Sequence, residues 1–257
     1  MGKLLGKRAL VTAGAQGIGL GISRMLLGAG CDVFVHYKTS SAGALSLAEE
    51  ASRLGRRCFY APADLTDAGQ CERIVASAVQ FLGGLDILVN NAGSLLTRRP
   101  FSEADDGYWA DIMSLNVDSL RRVTRAALPH LTASAKANGG ASIVNLSSIS
   151  ARLGGSAGAV PYSTAKGAVL TLTRGLAREL ASAGIRVNAI LPGLVLGTRL
   201  HEQHTPPEAQ RAPLANIPLG RAGTIEDIGR TAVFLASEYD GFITGVGLDV
   251  SGGACFS

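Results

Sequence analysis

The 257-residue chain is sparing with the residues that build metal centres, disulfide frameworks and membrane spans. Its four cysteines, Cys31, Cys58, Cys71 and Cys255, include no Cys-x-x-Cys pair, so neither a zinc site nor a dithiol redox motif is expected. Reduced thiols in a cytoplasmic protein are the simplest account. The four histidines, His36, His130, His201 and His204, have no metal-ligand spacing with carboxylates, and no metal is expected. No apolar run is long enough to span a bilayer. The short apolar stretch near the N-terminus runs straight into Thr12 and glycines, which reads as a first strand and not as a signal peptide. Gly6 stands where a myristoylation signal needs Ser or Thr. The net charge is only +4, with basic residues scattered or in short pairs such as Arg121-Arg122. A nucleic-acid surface would need a clustered stripe.

Glycine is plentiful, with 33 residues, and it gathers where apolar runs give way to helix-length segments. Strand-like runs fall at Arg8–Ala13, Asp32–Tyr37, Arg57–Pro62, Asp86–Asn90, Ser142–Ser147, Ile185–Leu191 and Val246–Val250. Amphipathic stretches such as Leu45–Leu54, Gln70–Leu82 and Gly167–Ala181 lie between them. This alternation means βαβ units and a parallel sheet covered on both faces. It predicts one doubly wound α/β Rossmann-type domain over residues 1–257. No Pro/Ser-rich linker divides the chain. The sequon Asn145-Leu146-Ser147 falls in a predicted core strand and should not be glycosylated. The long irregular segment Leu200–Gly220, with Pro206, Pro207, Pro213 and Pro218, is expected to be a substrate lid.

Two motifs carry chemistry. Thr12-Ala13-Gly14-Ala15-Gln16-Gly17-Ile18-Gly19 follows the first strand and opens a helix. Glycines there let the backbone approach a pyrophosphate, and the helix N-terminus offers unpaired N–H groups. Tyr162-Ser163-Thr164-Ala165-Lys166 puts a tyrosine and a lysine on one helix face. A free tyrosine, with a pKa near ~10, is a poor acid–base catalyst at neutral pH, and a nearby ammonium would lower that pKa. Ser147 and Ser148 end the apolar run Ile143-Val144-Asn145-Leu146. A strand-end hydroxyl, a tyrosine and a lysine at one sheet edge form a carbonyl-reducing arrangement.

These motifs, in this order, resemble the short-chain dehydrogenase/reductase family, and the resemblance covers essentially the whole chain. The family's phosphate motif is Thr-Gly-x-x-x-Gly-x-Gly, and Ala13 stands where its first glycine belongs. Asp64-Leu65 resembles the adenine contact, Asn90-Asn91-Ala92-Gly93 the motif closing the fourth strand, and Asn116 the active-site asparagine. Ser148, Tyr162 and Lys166 match the catalytic serine, tyrosine and lysine. Ser148 precedes Tyr162 by fourteen positions, one more than is usual, which leaves Ser147 as a competitor. Pro192-Gly193 matches the turn beside the nicotinamide. The threonine expected next arrives one residue late, as Thr198.

The resemblance implies a seven-stranded sheet of order 3-2-1-4-5-6-7 and reversible hydride transfer between a nicotinamide cofactor and a ketone or secondary alcohol, either a 3-oxoacyl thioester or a sugar or polyol. Its implied catalytic residues are Asn116, Ser148, Tyr162 and Lys166, with Asn116 holding a proton-relay water. Implied cofactor contacts are Gly14, Gln16, Gly17, Ile18, Gly19, Tyr37, Lys38, Asp64, Leu65, Asn91, Ala92, Gly93, Tyr162, Lys166, Pro192, Gly193 and Val195. The second strand ends His36-Tyr37-Lys38-Thr39-Ser40-Ser41, with Tyr37 where an NAD-selecting carboxylate would sit. Lys38 and the serine hydroxyls could hold a 2′-phosphate, so NADP(H) is favoured and NAD(H) possible. A homotetramer is expected, through a long helix ending near Gly139–Ala141 with Leu128 and Leu131 on its outer face, and through the C-terminal strand. Rival readings are a nucleotide-binding sensor without chemistry and an extended epimerase or dehydratase, for which 257 residues leave little room.

Overall fold

The computed structural model describes residues 4–198, 213–237 and 241–256. Seven strands form one sheet: β1 (Arg8–Val11), β2 (Asp32–Tyr37), β3 (Cys58–Pro62), β4 (Ile87–Asn90), β5 (Ala141–Leu146), β6 (Ile185–Pro192) and β7 (Gly247–Val250). Their order is β3-β2-β1-β4-β5-β6-β7, and every pairing is parallel. β4 and β5 are buried at every position because helices cover both faces.

The helices are α1 (Gly17–Gly28), α2 (Ala42–Arg53), α3 (Ala68–Leu82), α4 (Asp106–Met113), α5 (Ser119–Asn138), α6 (Ser150–Leu153), α7 (Val160–Leu180) and α8 (Ile225–Ala236). One core layer joins Ile22, Leu26 and Leu47 from α1 and α2 to Ile228 and Leu235 from α8. The other joins Ile74 and Val75 of α3, Val123 and Leu131 of α5 and Leu180 of α7 to Leu10, Leu88 and Ile143 of the strands. After β3 the chain crosses to the other side of β1 to lay down β4. The connections on either side of that reversal diverge and leave a crevice at the carboxyl ends of the strands.

Some boundaries differ from expectation. β1 stops at Val11, two residues early, because Ala13 adopts φ +49° and leaves the ladder. Its N–H goes to His36 Nδ1 at 2.9 Å instead. β5 starts and ends one residue early, β6 runs one residue longer, and β3, β4 and β7 start one residue late. α5 ends at Asn138 with Gly139 as a left-handed C-cap, as the sequence suggested. The assignment of Leu131 to the outer face of that helix is overturned: it is fully buried in the core, and Leu128 also packs against that core. Leu131 sits on the apolar stripe that an amphipathic helix over a sheet buries first. Most of the expected lid, residues 200–212 together with His201 and His204, lies outside the described residues; of the rest, Ile217 is buried.

At the far end of the sheet, the Arg8 guanidinium meets Asp86 at 2.7 Å, and Asn138 Nδ2 donates to Asp86 at 2.8 Å. Ser134 also donates to this carboxylate. These bonds hold Asp86 at about 2 against the upward push of burial. The network fastens β1, β4 and α5 on the side away from the crevice and takes no part in the site.

Candidate active site

The phosphate loop is held by side chains from neighbouring strands. His36, buried at the end of β2, accepts from Ala13 N–H at Nδ1, so its Nε2 carries the proton and donates to Ala63 O at 2.9 Å. Burial lowers its pKa and keeps the ring neutral, as this pattern needs. Asn91 donates from Nδ2 to Thr12 O at 3.0 Å and Ala13 O at 3.1 Å. The backbone N–H groups of Asn91 and Ala92 both donate to Thr12 Oγ1, at 2.9 and 3.0 Å. The left-handed backbone at Ala13, costing a non-glycine residue about 1–2 kcal/mol, is imposed by these bonds.

α1 then begins without a cap. Gln16 makes no side-chain cap hydrogen bond, and the first turn holds no acidic residue. α3, α4 and α8 are capped by Asp67, Asp105 and Thr224, while α2, α5, α6 and α7 share with α1 the lack of a side-chain cap. The amino end of α1 therefore keeps its N–H groups and positive potential for an anion. A Cβ on Gly19 would collide with the Ala13 carbonyl oxygen and come within 2.5 Å of Asn91 Nδ2, so only glycine closes this turn. Thr198 is buried with its methyl group beside Gly17, so the late threonine does reach the phosphate loop. Ile18 packs into the core beneath it. Gly14 N–H donates to His36 O at 2.8 Å. The cradle fits the pyrophosphate of a dinucleotide.

At the ends of β2 and β3, Ala63 N–H donates to Tyr37 O at 3.0 Å, and the Tyr37 and Tyr60 rings lie 6.3 Å apart. Leu65 is buried. Lys38 is paired: its Nζ meets Asp64 Oδ2 at 2.7 Å. Sequence reasoning gave these two residues separate tasks and did not foresee the pair, which only the parallel pairing of β2 with β3 creates.

The third group gathers at the ends of β4, β5 and β6. Ser147 Oγ donates to Lys166 O at 2.7 Å and so helps fasten α7 to β5. Ser148 lies beside the Tyr162 hydroxyl, where its own hydroxyl favours the phenolate. Ser148 Oγ also accepts from Ser150 N–H at 3.1 Å, which starts α6. Lys166, buried on the next turn of α7, donates from Nζ to Leu146 O at 2.9 Å, and Nζ lies 5.6 Å from the centre of the Tyr162 ring. A Cβ on Gly93 would come within 2.6 Å of Asn116 Oδ1 and 2.9 Å of Lys166 Nζ, so that glycine lets both groups approach β4.

Asn116 sits in a π-helical turn, Ser114–Asp118, between α4 and α5. Its Nδ2 donates to Ser94 O and Ile112 O, and its Oδ1 accepts from Ser94 N–H. The side-chain amide ties the β4–α4 connection to the π turn, and both of its N–H groups are already engaged. Pro192 O accepts from Ile149 N–H at 3.1 Å, and Gly193 N–H donates to Val250 O at 3.0 Å, which fixes the turn after β6. Val195 is buried and bridges to Gly223.

The electrostatics differ from the expected picture of a lysine-lowered tyrosine. Burial pushes the Tyr162 phenol up to about 12, and the hydrogen bond from Ser148 only partly offsets this. Burial pulls Lys166 down to about 8. Both charged forms lose hydration in the same tight space, and that outweighs their mutual attraction in the free protein. Tyr162 therefore carries its proton at neutral pH, while Lys166 remains mostly charged.

A family model described as enoyl-(acyl carrier protein) reductase matches residues 12–255. The 3-oxoacyl-[acyl-carrier-protein] reductase FabG of Chlamydia pneumoniae is 37% identical over 257 residues, covering 98% of each chain. The chain belongs to the short-chain dehydrogenase/reductase family. Among solved structures of that fold, the NADH-dependent reductase A1-R′ complexed with NAD is 33% identical, with a TM-score of 0.88 over 99% of this chain and 98% of that one. A blue fluorescent protein from a metagenomic library, complexed with NADPH, is 34% identical, with a TM-score of 0.90 over 99% of this chain and 100% of the other. As a family member with the sequence and fold of its 3-oxoacyl-reductase-like branch, the protein is an NAD(P)-dependent oxidoreductase.

Sequence reasoning missed His36 as the residue that fixes Ala13. It also missed the buried polar chain behind the site, in which Asn90 Nδ2 donates to Thr124 Oγ1 and Asn145 Oδ1, and Asn145 Nδ2 donates to Thr173 Oγ1. Polar residues inside apolar strands, such as Asn90 and Asn145, were the available signal, since buried polar groups must find partners.

Proposed function

We propose that the protein is a ketone reductase favouring NADPH, with a 3-oxoacyl thioester as the first substrate class to test. The observation that carries the reading is the gathering of Ser148, just past the end of β5, with Tyr162 and Lys166 of α7, Lys166 Nζ lying 5.6 Å from the centre of the Tyr162 ring. A group that holds its proton at neutral pH is a general acid, and ketone reduction needs one. Bound nicotinamide supplies the hydride. Ser148 orients the substrate oxygen, Tyr162 gives it a proton, and Lys166, charged below about 8, stabilises the phenolate that remains and binds the nicotinamide ribose. Asn116 acts by holding the π turn and the β4–α4 connection beside Lys166, and any relay water is held by this strap. Gly14, Gln16, Gly17, Ile18 and Gly19 cradle the pyrophosphate. Asn91, Ala92, Gly93, Pro192, Gly193 and Val195 shape the nicotinamide end.

For the cofactor, Tyr37 in place of a carboxylate and Lys38 beside it favour the 2′-phosphate, with NADH also accepted. The relatives named as 3-oxoacyl reductases support the acyl substrate. A second reading, a sugar-derived ketone, is favoured by the neighbour A1-R′, described in another of its structures as responsible for alginate metabolism. The test is turnover of a 3-oxoacyl thioester, a sugar-derived ketone and simple ketones with NADPH and with NADH, followed by nicotinamide absorbance. Reduction of a ketone class with NADPH is expected, and no turnover across the panel would overturn the reading.

We also place the protein in the cytoplasm as a homotetramer. No helix among the described residues is long and apolar enough to cross a membrane. With Leu131 assigned to the core, support for assembly comes from the edge of the sheet, where Leu248 of β7 and Phe234 of α8 are exposed. Light scattering should give about four times the monomer mass of 26.4 kDa, and a monomer at micromolar concentration would refute the assembly.

A further inference from the structure

We propose that Asp64 tunes the choice between NADH and NADPH by holding Lys38 in an ion pair that a 2′-phosphate has to displace. This rests on the proposed cofactor site, and it assigns Asp64 a task beyond contact with the adenine.

The geometry is specific. Asp64 follows β3, Lys38 follows β2, and the register Tyr37↔Pro62 sets the two strand ends side by side. Asp64 Oδ2 takes the Lys38 ammonium at 2.7 Å. Asp64 Oδ1 accepts from Thr66 Oγ1 at 2.7 Å and from Thr66 N–H at 3.0 Å. The Asp64 N–H donates to Gln70 Oε1 at 2.8 Å. The carboxylate is thus fixed by its own turn, and it stays ionised down to about 2, chiefly through the Lys38 hydrogen bond. Lys38 is 59% exposed, so the fixed carboxylate draws a mobile cation to itself.

The consequence differs for the two cofactors. NADH brings neutral ribose hydroxyls, and the pair stays intact. NADPH brings a dianion that must share or take Lys38 while lying near the Asp64 carboxylate. An exposed pair of this kind contributes only about 0.2–1 kcal/mol, so the phosphate can win, with its advantage reduced by repulsion. The NADPH preference of the wild type should therefore be modest, and Asp64 should set its size.

The test is titration of NADPH and NADH into the full-length protein, read as cofactor fluorescence without turnover. Asp64→Asn keeps an oxygen for Thr66 and for the adenine but removes the charge. It should tighten NADPH by about three- to tenfold and leave NADH within about twofold. An equal change for both cofactors, or none, would overturn the proposal, because the carboxylate would then act only on groups the cofactors share. Lys38→Ala in the same assay tests the underlying reading separately. If that variant binds NADPH as the wild type does, the phosphate site itself has been misassigned.

Discussion

Replacing Tyr162 by phenylalanine should lower ketone reduction by at least about 10²-fold while leaving cofactor affinity largely unchanged. The aromatic ring, with Lys166 Nζ 5.6 Å from its centre, is kept in the variant. What disappears is the phenol proton, which Tyr162 retains at neutral pH. Steady-state turnover and cofactor titration separate the two effects, and near wild-type turnover would remove Tyr162 from the reaction. The wild-type pH profile should carry a matching signature. Burial lowers Lys166 to about 8, so its charge is present below that pH and lost above it. Tyr162 keeps its proton throughout this range. Reduction should accordingly hold steady near neutrality and decline as pH rises past about 8, because the phenolate formed on proton donation loses its counter-charge.

Gly19→Ala should weaken NADPH binding by at least about tenfold and lower the melting temperature. The added methyl group meets the Ala13 carbonyl, a backbone atom that cannot rotate away. Ala13 is already in the left-handed region and is clamped from two sides, by His36 Nδ1 and by Asn91 Nδ2. Relief requires moving the loop, and overpacking a tight site typically costs about 1–3 kcal/mol. Displacing the loop also disturbs the N–H groups at the start of α1, so affinity and stability should fall together. Fluorescence titration and thermal unfolding measure both. A variant with unaltered affinity would show that this turn does not hold the pyrophosphate.

The strand positions and the two chemistry-carrying motifs were legible in the sequence because each rests on local patterns, while the strand order came only with the family resemblance. Short apolar runs between glycine-rich turns, such as the one ending at Asn90, read as strands covered on both faces, and the glycines between Thr12 and Gly19 read as a turn against a helix. Tyr162 and Lys166 share a face because four residues make one turn of any α-helix. Tertiary structure decided the matters that depend on which atoms meet across elements. It bonded Ser147 to the backbone of α7, a contact that the spacing of the motifs does not show. It placed Leu131 in the core and not on an assembly face. It bonded Lys38 to Asp64, residues from different strands with no pattern linking them in the chain. Burial also raises the Tyr162 phenol, a desolvation of which residue spacing carries no measure.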